Sequence, residues 1–218
     1  MSRALVLVAA GGLAREALAA IRAGAAPGHE VAGLLDDDLR KAGTSVDGVP
    51  VLGTLDDVTE HADADVVICS GRGGARRDIA ARFAKLGVDA RRYVSIVHPA
   101  TPVPAGCVVG AGSILLAGVV LTAAVTVGRH VVCMPHVTLT HDDVVGDYAT
   151  LAAGVALGGG VVVGEAAYLG MNSSVREQRR VGDDAVLGMG AALVEDQPAR
   201  TTWAGVPARP LTRREEPK

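Results

Sequence analysis

The chain has 218 residues, 49% apolar, 21% charged and 2% aromatic, with a formal net charge of −3. That length and apolar content support a sizeable core in one or two domains. The charge balance excludes a broad surface for nucleic acid or anionic membrane, and so few aromatics argue against a reader of stacked single-stranded bases.

Ala4–Ala10 is a short apolar run ending in Gly11-Gly12, and Arg15 and Glu16 follow at once, with no cleavage region of a signal peptide. Leu13–Ala23 then has helical spacing, with Leu13, Ala17, Leu18 and Ile21 on one side. Val31–Leu35 is a second buried strand, closed by Asp36-Asp37-Asp38, and Val49–Leu52 a third. Asp65–Cys69 ends in Ser70-Gly71, Ile79–Leu86 is helical, and Arg91–Ile96 is the last strand. Strand–helix alternation predicts a parallel, Rossmann-like sheet covered by helices. His98-Pro99 marks its end, because proline restricts the backbone on both sides.

From Val103 to Leu193 every sixth residue is apolar, at sixteen consecutive positions without a slip. Neither a 3.6-residue helix nor a two-residue strand pattern gives this phase. It is the mark of a β-helix whose hexads each supply one flat face. Three hexads close a triangular coil, so residues 18 apart stack at about 4.8 Å. Hexads of this kind are the known exception to right-handed crossovers, so the predicted fold is an α/β domain followed by a left-handed parallel β-helix. The residue after the aliphatic one is glycine at 110, 128, 146, 158, 164, 170, 182 and 188, which suits either a positive φ or a close backbone approach. The front domain is expected to cap one end of the prism and residues 201–218 the other. No span of about 20 apolar residues suits a bilayer. Cys69, Cys107 and Cys133 lack metal spacing, so a reduced, cytoplasmic protein is expected.

Several residues are suited to chemistry. Gly11, Gly12 and Leu13 form a degenerate glycine-rich turn, either facing a phosphate at a helix N-terminus or merely making a tight turn. Asp36 and Asp37 stand where such folds read a ribose or base, or form a solvated acidic loop. Gly71, Arg72, Arg76 and Arg77 follow another strand; an arginine there can meet a diphosphate or cover an exposed helix face. In the coils, His141 and Gly159 are 18 apart, which stacks an imidazole on a glycine N–H, a base beside an oxyanion donor. Asp142 can hold the other imidazole nitrogen; the alternative is an exposed corner histidine. The spacing of His136 and His141 resembles that of two metal ligands in the β-helix carbonic anhydrases, but Ala100 occupies the place of the third histidine of those enzymes, so no metal is expected.

The hexads, Thr140-His141-Asp142, Gly146-Asp147-Tyr148, Gly158-Gly159 and the closing Ala204-Gly205-Val206-Pro207-Ala208-Arg209 resemble the left-handed β-helix acetyltransferases. Ala9–Gly12, Leu34–Asp37, Val51–Thr54 and Gly71–Arg76 resemble the branch acting on nucleotide-linked sugars. That branch includes bacillosamine-pathway N-acetyltransferases, sialic acid O-acetyltransferases and GDP-perosamine N-acetyltransferase, the nearest resemblance. The resemblance implies a homotrimer with acetyl-CoA as co-substrate in a groove between adjacent β-helices. It divides the chain into residues 1–97 for the nucleotide sugar, 98–207 for acetyl-CoA and a tail, 208–218. It implies His141 as general base, Asp142 orienting it, and Gly159 donating to the thioester oxygen. Met189, whose place is usually glycine, Ala204 and Arg209 would contact CoA, and Gly11, Gly12, Leu13, Asp36, Asp37, Gly71, Arg72 and Arg76 the nucleotide sugar. The implied reaction is N-acetylation of the 4-amino group of a nucleotide-linked dideoxy amino sugar for a bacterial surface polysaccharide. A UDP-linked acceptor, a sialic acid hydroxyl and a non-catalytic trimeric scaffold are the alternatives. Ala9 stands where the branch often has glycine.

Overall fold

A computed structural model describes residues 2–211. The front domain comprises β1 (Arg3–Val8), α1 (Gly12–Arg22), β2 (His29–Leu35), β3 (Ser45–Val46), β4 (Val49–Gly53), β5 (Asp65–Ile68) and α2 (Gly73–Lys85). The sheet order is β3-β4-β2-β1-β5. β4, β2, β1 and β5 are parallel, and β3 adds an antiparallel hairpin at the edge that the alternation had not signalled. Leu5 and Leu7 pack with Leu13, Ala17 and Leu18 of α1 on one side of the sheet. Val6 and Val8 pack with Phe83 and Ile79 of α2 on the other. Burial on both faces explains why β1 is a continuous apolar run rather than an alternating one.

The front domain departs from the sequence expectation at α2 and at Arg91–Ile96. α2 begins at Gly73, not Ile79: its first turn packs so closely on the coils that a Cβ on Gly73 would meet Tyr148 and Ala166 backbone. Arg91–Ile96 is not a strand of the front sheet. Tyr93 makes a single bridge to Val66, and β6 (Ile96–Val97) pairs instead with Ile114–Leu115 as the first rung of the prism.

The rest of the described chain is a left-handed parallel β-helix of two-residue strands. Each strand pairs in parallel with the one 18 residues on, as Val132↔Thr150 and Val144↔Val162 do. Three faces result. The docked face carries Ile114–Leu115, Val132–Cys133, Thr150–Leu151, Tyr168–Leu169 and Val186–Leu187. The second face carries Val120–Leu121, Thr138–Leu139, Ala156–Leu157, Ser174–Val175 and Ala192–Leu193. The third carries Val108–Val109, Thr126–Val127, Val144–Val145, Val162–Val163 and Arg180–Val181. The hexad aliphatics from Leu115 to Leu193 fill the prism, and each buried valine or leucine contributes roughly 1.5–3 kcal/mol.

The corner glycines serve close approach, not a positive φ: a Cβ on Gly158 would lie 2.6 Å from Glu177 N, and one on Gly170 2.6 Å from Met189 N. The left-handed conformation falls two residues later, at every sixth residue from Gly106 to Gly190, with φ from +52° to +88°. Asp142 occupies one of these places at φ +64°, and aspartate tolerates it better than most side chains.

The front domain does not cap the end of the prism. α1 lies against the docked face, where the outward-pointing Ile114 and Val132 join the α1 core. The first hexad position, Val103, is consequently 41% exposed, since no rung covers it. At the other end Thr202–Ala204 adds a last parallel rung and Arg209–Pro210 folds back antiparallel to it. Trp203 and Ala208 close the core there, and residues 212–218 of the expected cap lie outside the described residues.

Candidate active site

Between the front domain and the docked face runs a cleft of about 1070 Å³. Its front-domain wall is the Gly11-Gly12-Leu13 turn, Asp36, Lys41 and Gly71–Gly74; its prism wall includes Met134, Thr150, Ala152 and Tyr168. The first turns of both α1 and α2 therefore meet at the same space. Neither has a side-chain cap or an acidic residue in its first turn. Uncapped N–H groups and two positive helix ends make this the natural seat of an anion.

Asp36 is tied into this wall. Its carboxylate accepts from Ala10 N at 2.7 Å, Asp38 N at 2.8 Å and Lys41 Nζ at 2.8 Å. Burial pushes its pKa up, but Lys41 and the two N–H groups outweigh it and hold the carboxyl below its usual range. Lys41, which also donates to Ala10 O at 3.1 Å, is the one cleft cation that the sequence reading missed; only its position just after the acidic run hinted at it. Ala9 adopts φ +73° at the head of the same turn, a conformation that glycine takes without strain.

Two of the residues proposed for the nucleotide sugar face elsewhere. Asp37 accepts from Leu55 N at 3.0 Å and pairs with Arg82 at 2.6 Å, on the far side of the acidic loop. Arg76 is fully buried. Its guanidinium donates to Ser70 O at 2.7 Å, His130 O at 2.8 Å, Tyr148 O at 2.6 Å, and Ala149 O and Thr150 Oγ1, each at 3.0 Å. It is spent on acceptors that join the front domain to two successive coils, His130 in one and Tyr148–Thr150 in the next, and it does not line the cleft. Arg77, its neighbour, pairs with Glu165 and Asp184 across the same junction. Arg72, by contrast, lines the cleft.

His141 and Asp142 form the corner between the second and third faces. His141 Nδ1 lies 2.8 Å from Asp142 Oδ2, and both side chains are 67% exposed. A carboxylate on Nδ1 keeps the proton there and leaves Nε2 as the acceptor. That Nε2 edge faces Gly159, one coil on: a Cβ added to Gly159 would fall on the ring. Gly160 N donates to His141 O at 2.9 Å, and Gln178 N to Gly159 O at 2.9 Å. Among the described residues the Gly159 N–H has no partner. An acceptor nitrogen beside a free N–H is what addition to a carbonyl requires. Met189, 72% exposed, lies at the other edge of the second face, and Ala204 sits on Gly188 beside it. Arg209 pairs with Glu195 at 3.5 Å. No group of three or more His, Cys, Asp or Glu able to hold a metal occurs among the described residues.

The cleft and the histidine are not neighbours within one chain. The cleft borders the docked face, and His141 stands at the vertex opposite that face.

No protein-family model and no curated protein matches the sequence, but solved structures do. The acetyltransferase domain of PglB from Neisseria gonorrhoeae, in complex with acetyl coenzyme A, is 29% identical with a TM-score of 0.86, over 97% of this chain and 100% of that one. PerB from Caulobacter crescentus, in complex with CoA and GDP-perosamine, is also 29% identical at 0.86, over 96% and 97%. WeeI from Acinetobacter baumannii is 26% identical at 0.82, over 96% and 100%. Histidine-to-asparagine and histidine-to-alanine variants of the Caulobacter enzyme are likewise similar, each in complex with CoA and GDP-perosamine.

Proposed function

We propose, for a chain that is a left-handed β-helix acyltransferase of the hexapeptide-repeat sugar-acetyltransferase kind, that it N-acetylates the 4-amino group of a nucleotide-linked dideoxy sugar, with GDP-perosamine as the acceptor and acetyl-CoA as the donor. The observation that carries this is the His141–Asp142 pair set edge-on to the free Gly159 N–H. Both substrates have counterparts in complexes of the similar Caulobacter enzyme.

The neutral amine attacks the thioester carbonyl carbon. The Gly159 N–H stabilises the oxyanion as the new C–N bond forms. His141 Nε2 takes the amine proton, with Nδ1–H held by Asp142. The C–S bond breaks, and the CoA thiolate receives that proton from the imidazolium. The pantetheine arm would run along the second face from Gly159 toward Met189 and Ala204. The diphosphate would sit at the two helix ends, with Lys41 and Arg72 beside it.

Because one chain's cleft and its His141 lie on opposite sides of the prism, the reaction needs a second copy to bring a base to the sugar amine. This supports a homotrimer with sites shared between subunits. The experiment is thiol release from acetyl-CoA with GDP- and UDP-linked 4-amino sugars and a sialic acid side by side, together with sedimentation. Turnover with the GDP-linked amine by a trimer is the expected result, and His141→Asn should lower kcat by about 10²–10⁴. Preference for UDP or for the hydroxyl acceptor replaces the substrate; no thiol release with any acceptor leaves a scaffold; a competent monomer removes the shared site.

A further inference from the structure

The corner that carries His141 departs from the prism's regular hydrogen bonding. At this vertex, the first residue after each strand normally donates its N–H to the next coil. Thr122 N donates to Leu139 O at 3.1 Å, Gly158 N to Val175 O at 2.9 Å, and Arg176 N to Leu193 O at 2.9 Å. Thr140 N, the member of this series that belongs to the His141 coil, does not reach Leu157 O. It donates instead to Asp143 Oδ2 at 2.7 Å, and Leu157 O is met by the Thr140 hydroxyl at 3.1 Å. The ladder records the same opening: the rung between Thr138–Leu139 and Ala156–Leu157 keeps the pair Thr138↔Ala156 but lacks Leu139↔Leu157. The rungs before and after it keep both pairs.

The cause is one side chain. Asp143 is fully buried in a column that reads Val125, Asp143, Val161 at this vertex. Its second oxygen accepts from Val161 N at 2.8 Å. It therefore grips Thr140 on one side of His141 and Val161 on the far side of Gly159, and stands between the two turns.

We infer that Asp143 is a positioning residue: a buried carboxylate wedge that sets the distance between His141 and the Gly159 N–H. This rests on the acyltransfer reading of that corner. A buried charge in a column of valines is costly and is retained only where something compensates. Nothing in the prism's stability calls for it. With valine at 143, Thr140 N can close onto Leu157 O as its neighbours do. Val161 N can return to Gly158 O, the turn bond that Val155 N and Ala167 N make to Ala152 O and Gly164 O. Neither donor is orphaned, the rung closes, and the imidazole moves relative to Gly159.

The test is Asp143→Val and Asp143→Asn, with His141→Asn alongside, measured for Tm, kcat and KM of both substrates. Asp143→Val should melt at or above wild type and lose about 10–100-fold in kcat, the cost of sub-ångström to 1 Å misplacement, with both KM values within two-fold. Asp143→Asn, which keeps the volume and one acceptor, should recover part of that loss. Wild-type kcat in Asp143→Val overturns the inference. So does a Tm well below wild type together with wild-type kcat in Asp143→Asn, because the carboxylate is then structural. If instead His141→Asn turns over normally, the reading of the corner as the active site fails, whatever the Asp143 variants do.

Discussion

Arg76→Ala should cost this protein about 3–5 kcal/mol, far beyond a surface arginine. Four N–H groups of the guanidinium meet five acceptors on Ser70, His130, Tyr148, Ala149 and Thr150. A hydrogen bond from a charged donor is worth roughly 1.5–3 kcal/mol net, so four such donors set an upper bound of roughly 6–12 kcal/mol. Against this stands desolvation: burial lowers the Arg76 pKa to about 10, which corresponds to about 3 kcal/mol at roughly 1.4 kcal/mol per unit. Water entering the emptied site returns part of the rest, leaving an effect in the range for breaking a buried charged network, roughly 3–5 kcal/mol. Urea unfolding followed separately by Trp203 fluorescence, at the far end of the prism, and by far-UV ellipticity of α1 and α2 is the assay. The variant should lose the helical signal at lower urea than the tryptophan signal, because the severed bonds join the two parts. Arg76→Lys, with three donors on one nitrogen, should fall between. A loss under about 1 kcal/mol in Arg76→Ala, within the range of ordinary surface substitutions, would refute the reasoning and return Arg76 to the substrate.

Gly159→Ala should leave Tm within a few degrees and lower kcat by about 10²-fold, since the new methyl displaces the exposed His141 ring; unchanged steady-state rates would separate the ring from the chemistry. Ala9→Gly should be neutral to stabilising by up to about 1 kcal/mol, because relief of the φ +73° strain outweighs the extra entropy of an unfolded glycine; clear destabilisation in denaturant would contradict this. Burial raises the Asp143 pKa to about 6 against the two N–H bonds that lower it. Its folded value thus lies above the unfolded one, so its contribution to stability is present below about pH 4 and lost as pH rises to about 6. Wild type should therefore lose about 2 kcal/mol relative to Asp143→Val between pH 4 and pH 7; a difference that is flat or of opposite sign would mean that the N–H bonds dominate.

Residue order by itself determined the prism. A six-residue period places one side chain per face inside, and stacking at 18 residues follows from three faces, so His141 over Gly159 and Asp142 at the corner were legible by counting. Asp143 was not picked out from the sequence, although it is the charged member of a valine column, and its grip on Thr140 and Val161 could not be, because nothing in a one-dimensional pattern says which donor leaves the ladder. The front domain was legible as alternating strands and helices up to the point where the two parts meet. There the decisive contacts span large separations: Arg76 to His130 and Thr150, Arg77 to Glu165 and Asp184. An arginine beside a glycine-rich turn reads the same whether it faces a phosphate or a carbonyl. Only the docking of α1 and α2 on a side face, rather than over the end, turned Arg76 inward, parted Asp36 from Asp37, opened the cleft at two helix ends, and put His141 at the opposite vertex. Local periodicity is repeated at every turn of the chain and is written many times over. The choice of which face a separate domain covers is made once, by shape and buried apolar area between segments about a hundred residues apart, and so belongs to the tertiary structure.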